Sequence, residues 1–248
     1  MSSTVVPNSS RYTADLRDST SPSRKLRDKL FLAGLWVATL IGVLTLFFLV
    51  LSTLLKGYTR LNLSLITNFP SPFPEDAGIQ AAIFGSIWVV VTSGVVSLFI
   101  ALGSAIYLEE FASQSSRFNR LISINIQTLA GVPSIVFGIL GLAFVARGWL
   151  GWGFTVGTAS AVLTMMVLPV MIVSAREALK AVPSSLREGS YALGATKWQA
   201  ISKQVLPAAI PGIATGSILG VSRALGESAP LILLGALAYV SSNPAGFS

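Results

Sequence analysis

Two ionisable side chains stand inside an otherwise apolar stretch near the end of this chain, Arg223 and Glu227 within residues 208–240. A charge at the centre of a membrane helix costs about 2.5–3.5 kcal/mol on the insertion scale, so their presence there asks for a reason. A spacing of four places them on one helix face, where they can pair. Pairing lowers the cost without explaining why the charges are present, and an ionisable residue at membrane depth is a functional candidate by default. An internal ion pair that fixes helix packing is the other reading. A guanidinium grips an oxyanion through two parallel donors, so the sign and shape of Arg223 point to an anion. Glu227 would hold Arg223 in place and moderate its grip. Other chemistries are missing: the chain has no histidine and no cysteine, the usual metal ligands and the commonest general base. It also lacks the G-x-x-x-x-G-K-[ST] phosphate loop, so ATP hydrolysis is not expected of this chain.

The elements that carry this pair are read from composition and charge. Of 248 residues, 52% are hydrophobic and only 11% charged, against about 25% charged in an ordinary globular protein. Five apolar runs follow a polar beginning: 30–55, 79–108, 121–146, 154–175 and 208–240. About 20 residues suffice to cross a bilayer as a helix, so the expected fold is an all-α, polytopic membrane helical bundle with five visible spans. Residues 1–29, rich in Ser, Arg and Asp, read as a mobile tail. Pro70, Pro72 and Pro74 exclude a helix over 67–76, which, like the Gly/Trp-rich 147–153, reads as external loop.

Lys and Arg collect on the inner face of membrane proteins. With the N-terminus inside, thirteen lie inside, six of them in the tail, and Lys56, Arg60 and Arg147 lie outside. The excess of +7 is thereby explained by topology, and no nucleic-acid partner is expected.

Between the fourth and fifth spans, residues 183–207 form the most structured polar segment. Ser185 with Glu188, and Thr196 with Gln199, have the spacing of capping boxes. Gly194 suits the left-handed position that ends a helix, and Pro207 suits the start of the fifth span. A helix-turn-helix on the cytoplasmic face is expected, with Leu186, Tyr191, Trp198 and Ile201 available for packing or docking. A well-ordered loop is the plainer alternative. Gly212, Gly216 and Gly220, continued by Ala224 and Ser228, form a small-residue stripe that lets another helix approach closely; that helix can belong to this chain or to a second subunit. Pro230 is expected to free the carbonyl of Gly226 within the fifth span. Pro133 with Gly131 and Gly138 reads as a kink with close packing in the third.

Three strings carry a family resemblance. Glu188-Gly189-Ser190, three further residues and Gly194, ending in Leu206-Pro207, resemble the "EAA" loop of ABC importer permeases. Gly189 and Ser190 stand for its two alanines, and Gln204 departs from its usual isoleucine. Ser222-Arg-Ala-Leu-Gly-Glu-Ser-Ala-Pro230 and Gly131-Val-Pro-Ser-Ile-Val-Phe-Gly138 resemble two signatures of the A-type permease subunit of phosphate importers. The resemblance spans residues 30–240 as a transmembrane domain. It implies a multi-pass protein of the bacterial cytoplasmic membrane that is itself no enzyme. It further implies Arg223 and Glu227 in a phosphate pathway, and Glu188, Gly189, Ser190 and Gly194 at a contact with a cytoplasmic ATPase. The implied partners are a related second permease, two ATPase subunits carrying ATP and magnesium, a periplasmic phosphate-binding protein and membrane lipid; no cofactor or metal is expected in this chain. The family usually has six spans, so 241–248 reads as an external end, with truncation or a partner accounting for the sixth. A permease for another oxyanion such as sulfate or molybdate, a passive anion channel and a structural scaffold are the rival readings.

Overall fold

The structure is a computed structural model that describes residues 22–73, 75–113, 116–235 and 243–244. Most of the expected tail, Pro74, the end of the fifth apolar run and most of 241–248 lie outside the described residues. Those that are described are helical or irregular, with no strand among them. Four helices are long and apolar enough to cross a membrane, or five if one bent pair is counted as a span.

The chain divides into two units. The first holds α1 (Pro22–Gly57) and a short 3-10 turn, Tyr58–Arg60. Its run of Leu, Val, Ile and Phe has no polar stripe, as suits a helix whose solvent is apolar. Thr39, Thr45 and Thr53 donate to the carbonyls four residues earlier at 2.8, 2.8 and 2.9 Å, so their hydroxyls need no water.

The second unit opens with α2 (Leu63–Thr67) and a proline-rich loop that folds back on it. There the Gly78 and Ile79 amides donate to the carbonyls of Phe69 and Leu65. A side chain at position 78 would run into the backbone of Asn68, so this close approach needs glycine. The long α3 (Gln80–Ile106) comes next and widens into a π turn, Tyr107–Phe111.

The third apolar run is not the straight span its length suggests. It divides into α4 (Arg117–Ala130) and α5 (Ser134–Leu140), the latter extended by a π turn through Ala146, and the two halves are bent by 102°. Pro133 is the cause. It has no N–H to offer the preceding turn and its ring would strike the carbonyl four residues back, so it takes an extended conformation (φ −57°, ψ 135°) and starts a new helix. The amides of Gly131 and Val132 close the end of α4 on the carbonyls of Thr128 and Leu129.

At the centre stands α6 (Val156–Lys180), packed between α3 and α9 (Leu206–Gly226). Sequence explains the sandwich. Along α3 the buried positions Ser93, Ser97, Ala101 and Ala105 recur every four residues, and along α9 Gly216, Gly220 and Ala224 do the same. Two faces of small residues let the backbones close in on the bulkier Leu163, Met166, Val167 and Met171 of α6, all buried. A Cβ added to Gly212, Gly216 or Gly220 would lie 2.8, 2.5 or 2.7 Å from Ala178, Ser174 or Met171. The stripe thus packs within the chain. On the outward faces of α3 and α9, Val91, Val95, Phe99, Ile218, Leu219 and Leu225 are exposed, so the bundle is apolar outside as well as inside.

Candidate functional site

Arg223 and Glu227 do pair, with Nε and Oε1 3.6 Å apart, but not at mid-helix. Helix α9 ends at Gly226: Arg223 sits in its last turn and Glu227 comes after it with an extended backbone (φ −91°, ψ 109°). A short helix, α10 (Ala229–Leu233), then begins with Pro230 in its first turn. This corrects the expectation that Pro230 frees the Gly226 carbonyl within a continuous span. Breaking the helix ahead of the proline avoids both the ring clash and the lost hydrogen bond, since a first-turn residue has no intrahelical acceptor for its N–H.

Two features set the character of this pair. Ala224 is buried against the bundle while Ser222, Arg223, Leu225 and Gly226 are exposed, so the guanidinium is accessible at the end of α9. The break also stands near the other discontinuity. Gly138 of α5 admits Pro230 so closely that a Cβ there would lie 2.7 Å from the Pro230 Cα. Two interrupted helices therefore meet beyond their breaks, and irregular backbone at membrane depth is tolerated where it is buried or lines a polar cavity. At 3.6 Å, with side chains 40% and 21% exposed, the pair leaves guanidinium donors open to a further anion.

The second group of predicted residues lies on α7 (Ser184–Ala192) and the turn after it. Pro183, not Ser185, is the N-cap, and no side chain caps this end. The Ser185–Glu188 box does not form because the helix starts two residues earlier than such a cap requires and makes Ser185 helical. Glu188 and Gly189 are exposed, and the Ser190 hydroxyl turns back to the carbonyl of Leu186 at 2.8 Å. Gly194 has φ +84°. The Gly194 amide donates to the Tyr191 carbonyl and the Ala195 amide to that of Ser190, the paired bonds of a Schellman end. The Thr196–Gln199 capping box is fully formed. It opens no separate short helix, however: α8 (Lys197–Ala200) runs through a π turn, Ile201–Val205, into α9, giving one apolar helix of 30 residues, Lys197–Gly226. Leu186, Tyr191, Leu193 and Trp198 stand exposed around this corner, Leu193 at 90%, while Ile201 is buried in the bundle.

Sequence reasoning missed a set of charges beneath α7. Arg187 donates from Nη2 to Glu110 Oε1 at 2.7 Å and from Nε to the same oxygen at 3.2 Å. Its remaining donors reach the carbonyls of Val182 and Leu179 at 2.8 and 3.0 Å. Next to it, Arg176 of α6 donates to Glu109 at 3.4 Å and to the Ser123 hydroxyl of α4 at 2.9 Å. The ammonium of Lys197 lies 5.0 Å from the centre of the Phe111 ring, within cation–π range. One signal was available: Glu109 and Glu110 form an acidic doublet just past the apolar run that ends at Leu108. Among the described residues no three Asp, Glu, His or Cys side chains converge as metal ligands.

Comparison with known proteins places these features in a family. The family model described as "Binding-protein-dependent transport system inner membrane component" matches residues 97–245. The "Probable ABC transporter permease protein YqgI" of Bacillus subtilis (strain 168) is 31% identical over 217 residues, 87% of this chain and 72% of that protein. The "Phosphate transport system permease protein PstA" of Yersinia pestis is 32% identical, covering 84% of this chain and 70% of that one. PstA 1 of Mycobacterium tuberculosis (strain CDC 1551 / Oshkosh) is 36% identical over 63% of this chain and 51% of its own length. The chain thus spans between about half and three quarters of these relatives. Among solved structures, the inward-facing MetNI methionine ABC transporter superposes with a TM-score of 0.53 at 22% identity, over 60% of this chain and 69% of that one. This likeness speaks for the fold alone.

Proposed function

The chain belongs to the family of binding-protein-dependent transport system inner membrane components, a multi-pass membrane protein, and on that footing we propose that it is a permease subunit of an ATP-driven importer of inorganic phosphate. The observation that carries the substrate is the guanidinium of Arg223, held loosely by Glu227 at a helix break and exposed there. A second, related permease facing that side would complete a route whose wall offers an oxyanion a bidentate donor. The relatives named phosphate permeases support phosphate as the anion. ATP with magnesium is bound and hydrolysed on two partner ATPase subunits, not here. A periplasmic phosphate-binding protein delivers the substrate on the opposite face, and the N-terminus is cytoplasmic.

On this reading α7 is the ATPase contact. Its exposed Glu188 and Gly189 lie among Leu186, Tyr191, Leu193 and Trp198, an apolar rim with one acid suited to a cleft in a rigid partner. The Schellman end at Gly194 and the box at Thr196 fix the corner, so closure of the ATPases moves Lys197–Gly226 as a lever with Arg223 near its far end. Pro133, Gly138 and Pro230 shape the two breaks, and Gly212, Gly216 and Gly220 hold the lever against α6. Uptake of radiolabelled phosphate into proteoliposomes containing all the partners, with and without ATP, tests this function. ATP-dependent accumulation that excess sulfate or molybdate leaves unchanged supports it. Uptake competed away by either anion moves the assignment to that oxyanion, and ATP-independent flux moves it to a channel.

A further inference from the structure

The π turn Tyr107–Phe111 joins several elements at once. Three consecutive side chains each engage a different part of the chain. Glu109 meets Arg176 of α6, which also holds Ser123 of α4. Glu110 takes Arg187 of α7, and Phe111 lies under Lys197 at the start of α8. An extra residue in a helical turn rotates the side chains beyond it to a new phase, and such turns gather at functional sites. Here the turn follows α3 and its own Leu108 is anchored in the core, so the charges are offered from a fixed base.

We propose that this turn is the transmission joint of the molecule. Glu109 and Glu110 are positioning residues that lock α7 to α6 and α4, so a displacement of α7 reaches the membrane helices as one rigid movement. This rests on the importer reading, in which an ATPase moves α7. Arg187 is constrained well beyond what holding a helix end requires: its guanidinium is fixed at once by Glu110 and by two carbonyls at the end of α6, Leu179 and Val182. Glu110 is 6% exposed and Arg187 20%, which shields the pair from solvent and salt. Neither faces outward with Glu188, so they lie behind the contact surface, not in it. A planar fork can satisfy three acceptors at once and an ammonium cannot reproduce that geometry.

The experiment uses the whole complex in proteoliposomes and reads phosphate uptake per ATP hydrolysed. Glu110→Gln and Arg187→Lys are expected to assemble and hydrolyse ATP as the wild type does, while uptake per ATP falls roughly fivefold or more. A variant carrying Glu110→Cys and Arg187→Cys supplies the decisive arm, since this chain has no other cysteine. Unbridged, it should show the same loss. Bridged by a short, reducible bifunctional thiol reagent, it should recover to within about twofold of wild type and lose the gain again on reduction. Wild-type uptake per ATP in the single variants would overturn the proposal. So would a loss that bridging fails to restore, or failure of the bridged variant to assemble, since each leaves the pair a merely structural role. If the wild-type complex moves no phosphate, the importer reading fails, and the joint is judged by deuterium exchange on Ser184–Ala192 in the same complexes. Exchange roughly tenfold faster in Glu110→Gln supports the clamp, and unchanged exchange overturns it.

Discussion

The molecule carries two arginine–glutamate pairs of opposite character. Arg187 and Glu110 are close, at 2.7 Å, and largely buried, and two carbonyls also hold the guanidinium. Arg223 and Glu227 stand 3.6 Å apart on one helix end, with the arginine 40% exposed. The same two residue types therefore serve different ends. A buried fork with all three nitrogens engaged fixes one geometry and holds elements together. An exposed fork with a loose partner keeps donors in reserve, as a residue must if it is to take up an anion and let it go. The difference comes from backbone: Arg187 projects beneath a short helix onto the ends of two others, whereas Arg223 projects from a helix that stops just beyond it.

Substitutions should separate the two pairs by what is lost. The largest effect belongs to the open fork: Arg223→Gln should lower ATP-driven uptake on the order of 100-fold while the complex still assembles. Glu110→Ala strands the buried guanidinium and should destabilise the bundle by about 3 kcal/mol, seen as a lower Tm of the purified complex. In the core, Gly216→Ala places a methyl 2.5 Å from the Ser174 Cβ and should cost about 1–3 kcal/mol by the same measurement. Gly194→Ala forces a left-handed backbone on an L-residue and should cost about 1–2 kcal/mol, read as faster deuterium exchange over α7. Gly226→Ala meets open space and has no left-handed backbone, so its stability, read from Tm, should match wild type within about 0.5 kcal/mol. A large loss there would mean the helix break is more constrained than its surroundings indicate.

Much of this is legible in residue types. Apolar runs locate the spanning helices because lipid leaves a backbone few other options. Gly194 and the Thr196–Gln199 box are readable because a left-handed glycine and a reciprocal cap are local signals. Breaks are harder. Pro133 announces a kink, but a bend of 102° depends on what α5 packs against, and that includes Pro230, which is remote in sequence. Pro230 itself reads as a defect inside a helix, whereas the chain uses it to start a new one, which moves Arg223 from mid-span to a helix end. The Ser185 box fails because Pro183 is an equally good place to begin a helix. The joint at Glu109 and Glu110 is invisible for a different reason: its partners lie 67 and 77 positions away, and no local pattern encodes such a pairing. Arg176 and Arg187 are two of the thirteen basic residues expected on the inner face, and charge alone does not reveal that both are committed to carboxylates.

If Arg223 handles a phosphate anion on a route powered by ATP, radiolabelled phosphate uptake by wild-type and Arg223→Gln complexes in matched proteoliposomes should show it. Wild-type uptake that requires ATP, with the variant near the ATP-free background despite equal assembly, is the predicted result. Equal uptake by the two complexes would contradict that role and leave Arg223 an ordinary packing charge.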